Sequence, residues 1–155
     1  MSNRLEMTVQ DQAVQQRLTE LLHVVSDSLP VMRGIAAELL AQTEFAFQDE
    51  GPGWPQLAPS TIAARKAKGR GAHPILQVTN ALARSITTSA ERGFAQIGSN
   101  LIYAPIQQLG GQAGRGHGVT IPARAFLPIT AQGQLTPSAS RAILGILTAA
   151  LAGGR

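Results

Sequence analysis

The first half of the chain contains two stretches in which apolar residues repeat at helical spacing. In the stretch from Asp11 to Ser28 they fall every three or four residues, which is the period of one helix face. These residues are Val14, Leu18, Leu21, Leu22 and Val25. The stretch from Pro30 to Gln48 predicts a second helix, whose apolar face carries Val31, Ile35, Leu39 and Phe45. Because the link between the two stretches is very short, we expect an antiparallel helical hairpin.

The second half of the chain predicts shorter elements separated by proline and glycine. Two strands, at 86–90 and 94–98, flank a short loop that ends in Gly93, which is typical of a β-hairpin. The other predicted elements are a loop at 49–59, a basic helix at 59–69, helices at 80–85 and 103–109, a strand at 119–121 and a terminal helix from Thr136 or Ser138 to Gly153.

This order of elements predicts an α+β fold. We expect one domain spanning residues 1–155, in which the N-terminal helical hairpin and the C-terminal helix pack on a small antiparallel sheet. Long glycine-rich loops connect the elements, and the segment 110–118 is predicted to be a flexible loop or arm.

Charge is scarce in this chain and unevenly distributed. Charged residues make up 14% of it, against about 25% in an average globular domain. Residues 1–53 hold three basic and eight acidic residues, whereas residues 54–155 hold ten basic residues and the single acid Glu91. Such polarity could join copies of the chain, acidic part to basic part, or place a basic face on nucleic acid. Composition does not choose between the two.

The sequence offers no catalytic or metal-binding constellation. It has no cysteine, which removes disulfides, thiolate metal sites and cysteine nucleophiles. His23, His73 and His117 have unrelated spacing, and no serine lies in a GxSxG elbow. Eight of the nine carboxylates precede residue 51 and are interpreted as solvated helix faces. We therefore expect no enzyme activity, no metal and no cofactor.

No membrane segment is predicted either. The start of the chain has no apolar run behind its charge, and the longest apolar stretch, 142–152, is about half a membrane span. We expect a soluble protein made in a cytoplasm, with no membrane contact.

Two polar segments are candidates for contact with a partner. Arg65, Lys66, Lys68 and Arg70 form the densest basic patch. A solvated face, contact with DNA phosphates and contact with an acidic neighbour all remain open for it, although the lack of interleaved aromatics counts against single-stranded nucleic acid. In the glycine-rich segment the candidates are Arg115 and His117. This segment is not a phosphate-binding P-loop, because the chain contains no Lys-Ser or Lys-Thr pair.

The other interface candidates are Trp54, Tyr103, Arg124 and Phe126. Trp54 is either a core or loop residue or, if exposed, an interface anchor. Pro122 and Pro128 restrict the segment between them to extended geometry. We expect Phe126 and Leu127 to anchor that segment in the core while Arg124 makes a polar contact at a subunit edge.

Four stretches, taken in order, resemble the virion-morphogenesis family of tailed phages, which includes the tail-completion proteins of Mu-like phages. They are WPQLAPST at 54–61 with the basic helix behind it, ILQVTNALARSI at 75–86, IGS at 97–99 followed by YAPIQQ at 103–108 and Gly110-Gly111, and IPARAFLP at 121–128. Three residues depart from the family pattern: Asn80 stands where glycine is usual, Gln107 where histidine is common and Ala125 where proline often sits.

The resemblance implies a structural virion protein and not an enzyme. It implies a homo-oligomeric ring, expected as a hexamer, at the head-proximal end of the tail or in the neck, where it completes the tail and supports head–tail joining. The implied partners are further copies of the chain, the tail tube protein, head–tail connector or neck proteins and, transiently, genomic DNA in the lumen. The implied location is the virion, and the host cytoplasm during assembly. The alternative is a DNA-binding or head-assembly accessory protein that uses the basic segment 65–70.

Overall fold

The computed structural model describes residues 27–153. Its helices are α1 (Leu29–Gln48), α2 (Pro59–Ala67), α3 (Ala81–Arg84), α4 (Ala104–Leu109) and α5 (Pro137–Gly153), with a 3₁₀ turn at Arg115–His117. Its strands are β1 (Ile86–Glu91), β2 (Phe94–Ser99), β3 (Gly111–Ala113) and β4 (Val119–Ile121). The α+β class is confirmed. Nearly all of the predicted helix at 11–28, and with it the helical hairpin, lies outside the described residues.

Helix α1 is the predicted second helix, but its buried face carries a different aromatic residue. Ile35 and Leu39 are buried as predicted, and Phe47 continues the same face. Phe45, which the sequence analysis placed there, is 61% exposed. At 3.6 residues per turn, Phe47 lies about 80° around the helix from Leu39, with Thr43 between them, whereas Phe45 lies about 120° away in the opposite direction. Between them Thr43 is fully buried, and its hydroxyl donates to the carbonyl oxygen of Leu39 at 2.9 Å.

Strands β1 and β2 form the predicted antiparallel hairpin. The register runs from Ile86 opposite Ser99 to Glu91 opposite Phe94, so each strand is one residue longer than predicted and Glu91 lies in the ladder. The turn contains only Arg92 and Gly93, and the φ of +94° at Gly93 favours glycine. The Gly93 N–H donates to the Ser28 hydroxyl at 3.1 Å, which joins the hairpin to the start of α1.

The glycine-rich segment contributes to a second antiparallel pair of strands. Gly111 lies opposite Ile121 and Ala113 opposite Val119, in a sheet separate from β1–β2. The structure therefore contains two small sheets where the sequence analysis expected one. The flexibility of the segment 110–118 is a different property and stays a prediction.

Two apolar clusters form the interior of the described part of the chain, and α1 connects them. The first consists of Phe47, Trp54, Ile75, Leu82, Ala104 and Phe126. The second consists of Ile35, Leu39 and Ala139, covered by side chains of α5 and β2 that include Ile97, Ile143 and Leu147. Helix α1 thus packs against the first sheet and α5 near its start and against the loop segments near its end.

Candidate functional site

Arg124 is the centre of a buried polar network. Its side chain donates from Nε to the carbonyl oxygen of Pro55 at 2.9 Å and from Nη2 to that of Gln56 at 3.0 Å. Burial and, secondarily, the charge of Arg65 lower the pKa of the Arg124 guanidinium from its ordinary value. The sequence analysis expected Arg124 to make a polar contact at a subunit edge. The structure corrects this expectation, because Arg124 is only 5% exposed and its guanidinium binds carbonyl groups of its own chain.

Trp54 and Phe126 are interior residues of the same region. They are 7% and 1% exposed, and both rings contact the ring of Phe47, with centroid distances of 6.0 Å and 5.5 Å. The indole N–H of Trp54 donates to the carbonyl oxygen of Ala125 at 2.9 Å. The expectation that Phe126 anchors its segment in the core is confirmed. Neither side chain is presented at the surface. The structure therefore corrects the expectation that Trp54, as one alternative, and Phe126 are interface residues, because both are interior residues.

Gln108 completes the network and was missed by the sequence analysis. Its side-chain oxygen accepts the backbone N–H groups of Phe126 and Leu127, each at 2.9 Å. Its side-chain nitrogen donates to the carbonyl oxygens of Leu127 and Ile129, each at 3.3 Å. No local pattern in the sequence could have indicated this role, because all the partners lie 18 to 21 residues further along the chain.

The basic residues of α2 and the following turn divide into one structural residue and three exposed ones. Arg65 donates from Nη1 to the carbonyl oxygens of Ala72 at 3.0 Å and Pro74 at 3.2 Å. It therefore holds the turn after α2 in place. The remaining three, Lys66, Lys68 and Arg70, are exposed and make no side-chain ion pair with the acidic residues described in the structure.

The turn after α2 is also held by a carboxylate. Glu50 accepts the Ile75 backbone N–H at 2.7 Å through one oxygen and contacts His73 Nδ1 at 2.6 Å through the other. Among residues 27–153, no three His, Asp or Glu side chains are grouped so that they could hold a metal ion. His73 is thus a structural partner of Glu50 here.

Four exposed apolar side chains lie in the stretch of chain from the end of β2 to β4. Ile102 is 96% exposed, and Tyr103 beside it is 41% exposed. Leu109 at the end of α4 and Val119 in β4 are each 54% exposed. We call these four residues the 102–119 surface. Arg115 and His117 are exposed at the tip of the β3–β4 hairpin, within the same stretch of chain.

Within residues 27–153, no helix is both long enough and apolar enough to cross a bilayer. The exposed basic residues of the segment 65–70, the tip of the β3–β4 hairpin and the 102–119 surface are candidate contact surfaces of the described residues.

Comparison with known proteins shows where this arrangement belongs. Residues 9–152 match the phage virion morphogenesis family. The chain belongs to that family. No solved structure matches it.

Two relatives align with most of this member of the virion morphogenesis family. It is 38% identical, over 142 residues, to "Putative capsid assembly protein G" of Escherichia phage Mu, with 86% of this chain and 89% of the relative covered. It is 35% identical, over 122 residues, to "Mu-like prophage FluMu G protein 2" of Haemophilus influenzae, with 78% of this chain and 80% of the relative covered.

The four stretches that carried the family resemblance meet in the interior of the structure. Trp54, Pro55 and Gln56 of the first stretch bind residues of the fourth. Gln108 of the third also binds the fourth, and the second supplies the core residues Ile75 and Leu82. The four stretches therefore contribute residues to the same core.

The departure at Asn80 has a structural reason. This residue precedes α3 with φ +56° and ψ 9°, which is the left-handed region. Glycine adopts that conformation at low cost, and asparagine tolerates it better than most other residues. The asparagine therefore replaces the usual glycine of the family with little strain.

Proposed function

We propose that this chain is a structural subunit of the virion that forms a homo-oligomeric ring at the head-proximal end of the tail or in the neck. There it completes the tail and supports the joining of tail and head. The observation that carries the ring is the 102–119 surface, where Ile102 is almost wholly exposed. Covering apolar area is favourable by roughly 25 cal/mol per Å², and a second copy of the chain supplies the cover.

A closed ring built from head-to-tail contacts needs two different surfaces on each subunit. The 102–119 surface is apolar, and the exposed basic residues Lys66, Lys68 and Arg70 form a separate, charged one. Acidic side chains lie mainly before residue 51, including the exposed Glu44 and Asp49 of α1 and its end. Pairing acidic and basic surfaces of neighbouring copies would add to the apolar contact and fix its direction.

The ring is tested by measuring the mass of the purified full chain in solution and by electron microscopy of the same sample. We expect a discrete closed ring, with six subunits as the first expectation. Ile102→Asp should shift the protein to monomer without lowering the melting temperature, because a side chain that is 96% exposed contributes little to the fold. Gln132→Asp, at an exposed loop position outside both proposed surfaces, is the matched control and should leave the ring intact.

A strictly monomeric wild-type chain at high concentration would overturn the ring.

The salt dependence of assembly separates two arrangements of the charges. If acidic surfaces meet basic surfaces, salt should weaken the ring, since exposed charges are screened beyond about 10 Å at 0.1 M. If the acidic helices instead line a lumen through which DNA passes, assembly should be insensitive to salt and the helices should be seen facing the channel.

The position in the particle is tested by purifying heads and tails separately and probing each for this chain. We propose the tail tube protein and the connector or neck proteins as its neighbours, so it should be found on tails before they join heads. Its presence on heads alone would contradict a tail-completion role. The proposed location is accordingly the virion, after assembly in the host cytoplasm.

A second candidate is a DNA-binding or head-assembly accessory protein. It is favoured by the three exposed cations of the 65–70 segment and by the name of the Mu relative, which describes capsid assembly. Duplex binding with a measurable salt slope would support it. Replacing Lys66, Lys68 and Arg70 by glutamine should then reduce that slope by about 0.9 for each DNA phosphate that the protein no longer neutralises.

The matched control replaces Arg92 and Arg141, which are exposed elsewhere, and should leave the slope unchanged. Arg65 is left in place because it holds the turn after α2. Absence of duplex affinity at low salt would exclude the DNA-binding alternative.

A further inference from the structure

The described residues leave open an apolar groove of about 760 Å³ beside the end of α1. Phe45 forms part of its wall, and this side chain is 61% exposed. The rest of the lining comes mainly from Pro52, the segment 125–128 and the start of α5. Pockets of about 300–1,000 Å³ hold drug-sized molecules, so this groove has room for large side chains. An exposed apolar surface of this kind marks a binding site.

The segment 125–128, which forms one wall of the groove, is held by hydrogen bonds from distant parts of the chain. Trp54 donates its indole N–H to the first carbonyl oxygen of the segment at 2.9 Å. The side-chain oxygen of Gln108 accepts the next two backbone N–H groups, each at 2.9 Å. The groove is therefore formed before anything binds in it, which lowers the conformational entropy that binding costs.

The same chain presents a pair of apolar side chains that such a groove could receive. Ile102 is 96% exposed and Tyr103 is 41% exposed, and both lie in the turn directly before α4. We call this pair the knob. Gln108, which holds the groove wall, belongs to the same helix α4. The knob and the groove of one copy are therefore fixed relative to each other, and the knob does not fill the groove of its own copy.

We propose that the knob of one copy enters the groove of the next copy in the ring, with Arg115 of the first copy beside Asp49 of the second. This contact rests on the ring proposed above and names the surface that covers Ile102. Asp49 is the only charged residue among the described residues that line the groove. Between residues 100 and 121 the basic residues are Arg115 and His117, and no acidic residue occurs there. Opposite charges on facing surfaces fix the register and favour the correct partner.

A knob and a groove at different places on one chain make a heterologous contact. Such contacts join copies head to tail, and they give a closed ring or an open filament according to the angle between neighbours. Because α4 carries Gln108 at the groove wall and directly follows the knob, that angle is the same at every contact. A rigid connection of this kind favours one ring size.

The test blocks the knob and the groove in separate full-length variants. Ile102→Asp alters the knob and leaves the groove intact. Ala41→Arg places a long charged side chain at an exposed position of the groove lining and leaves the knob intact. Each variant alone should be monomeric by sedimentation and native mass measurement. A mixture of the two should give a 1:1 dimer and no ring, because each pair of copies retains a single intact knob facing an intact groove.

The matched control for the groove variant is Ala149→Arg, at an exposed position about 18 Å further along α5 than the groove residue Pro137. It should leave the ring intact. Melting temperatures close to that of the wild type verify that the variants fold. If Ala41→Arg lowers the melting temperature, Ser138→Arg blocks the groove from another exposed position of its lining.

The outcomes separate this contact from the ring itself. A monomeric wild-type chain would overturn both. A wild-type ring that persists in the folded groove variant would leave the ring standing and overturn the contact, since the groove would then be covered by something other than a neighbouring knob. Two folded monomeric variants that form no dimer when mixed would also overturn it.

Reversing the charges tests the orientation of the two copies. Asp49→Arg and Arg115→Asp should each weaken subunit association about tenfold, because like charges then face each other. The double variant should recover most of the association. The matched control combines Glu91→Arg with Arg115→Asp, which gives the same net charge but reverses an exposed acid of β1, and it should not recover. A double variant as weak as the single variants would overturn the proposed orientation.

Discussion

Gly51 lies against the indole ring of Trp54 so closely that a β-carbon at Gly51 would overlap the indole Nε1 and Cδ1 atoms. The close approach holds the indole where its N–H reaches the carbonyl oxygen of Ala125, 71 residues further along the chain. Gly51 also has φ +69°, a conformation that L side chains rarely adopt. Space and backbone angle therefore both require glycine at this position.

Gly51→Ala should destabilise the protein more than Gly53→Ala. Gly53 has φ +74° but open space around the position of a β-carbon, so its substitution costs only the left-handed backbone strain of about 1–2 kcal/mol. Gly51→Ala adds the displacement of a buried indole, on the order of a further 1–3 kcal/mol. Urea unfolding of the two variants measures the difference, and equal losses would show that the tryptophan is not held by this contact.

Removing the Arg124 side chain should leave two carbonyl groups without their donor. Arg124→Met is expected to lower the free energy of unfolding by about 2–4 kcal/mol. Arg124→Lys should recover only part of this loss, because an ammonium cannot reproduce the two-point geometry to Pro55 and Gln56. Arg92→Met in the exposed β1–β2 turn is the control and should change stability little. A stable Arg124→Met variant would argue against the network.

Gln108 should tolerate neither an apolar nor a charged replacement. Gln108→Leu leaves the N–H groups of Phe126 and Leu127 unpaired, at about 1–3 kcal/mol for each buried group left unpaired. Gln108→Glu keeps an acceptor but turns a carboxylate towards the carbonyl oxygens of Leu127 and Ile129. Protonating that carboxyl restores a donor, so the loss in Gln108→Glu should shrink as the pH falls, whereas the loss in Gln108→Leu should not. Parallel pH profiles for both variants would contradict this account.

Phe126→Ala should cost about 3–5 kcal/mol of stability, the usual range for a buried phenylalanine. Phe126 is 1% exposed and stacked on Phe47. Phe94→Ala, at a position that is 45% exposed in β2, provides the comparison and should cost much less. Thermal or urea unfolding measures both, and an unchanged melting temperature for Phe126→Ala would show that the ring does not support the core.

The β3–β4 hairpin should exchange its amide hydrogens quickly in the isolated subunit and slowly after assembly. Each strand has only three residues, and a two-stranded hairpin of this kind is marginal by itself. Fixing its glycine backbone costs on the order of 1–2 kcal/mol per residue, so a neighbouring copy or the tail tube would have to supply the balance. Hydrogen exchange across 110–118, free and assembled, is the measurement. Equally fast exchange in both states would leave the hairpin without an assembly role.

The sequence predicted well those elements whose signals are local. Pro30, in the first turn of α1, and Gly110, directly after α4, lie where the sequence analysis placed the corresponding helix ends. The β1–β2 hairpin follows from Gly93 and the strand-forming residues on either side. These signals work because a proline, a glycine or a repeating apolar face restricts the backbone of its own neighbourhood.

The family resemblance could also be read from the sequence, and comparison confirmed it. What the quoted residues do could not be read in the same way. Trp54 and Arg124 were candidates for a surface, and each is in fact buried and bonded to a segment about 70 residues away. Gln108 stands in the quoted stretch 103–108, but nothing in that stretch indicated its hydrogen-bonding role.

By itself, then, the sequence determined the α+β elements, the scarcity of charge and the family, because each depends on residue types and their order. Tertiary structure alone decided which side chains face inward, as with Phe47 in place of Phe45 on α1. It also decided that the β3–β4 hairpin forms a separate sheet. The physical reason is the same in each case: burial and hydrogen-bond partnership depend on which distant segments meet, and the segments at 54–56, 108 and 124–127 meet only when the chain is folded.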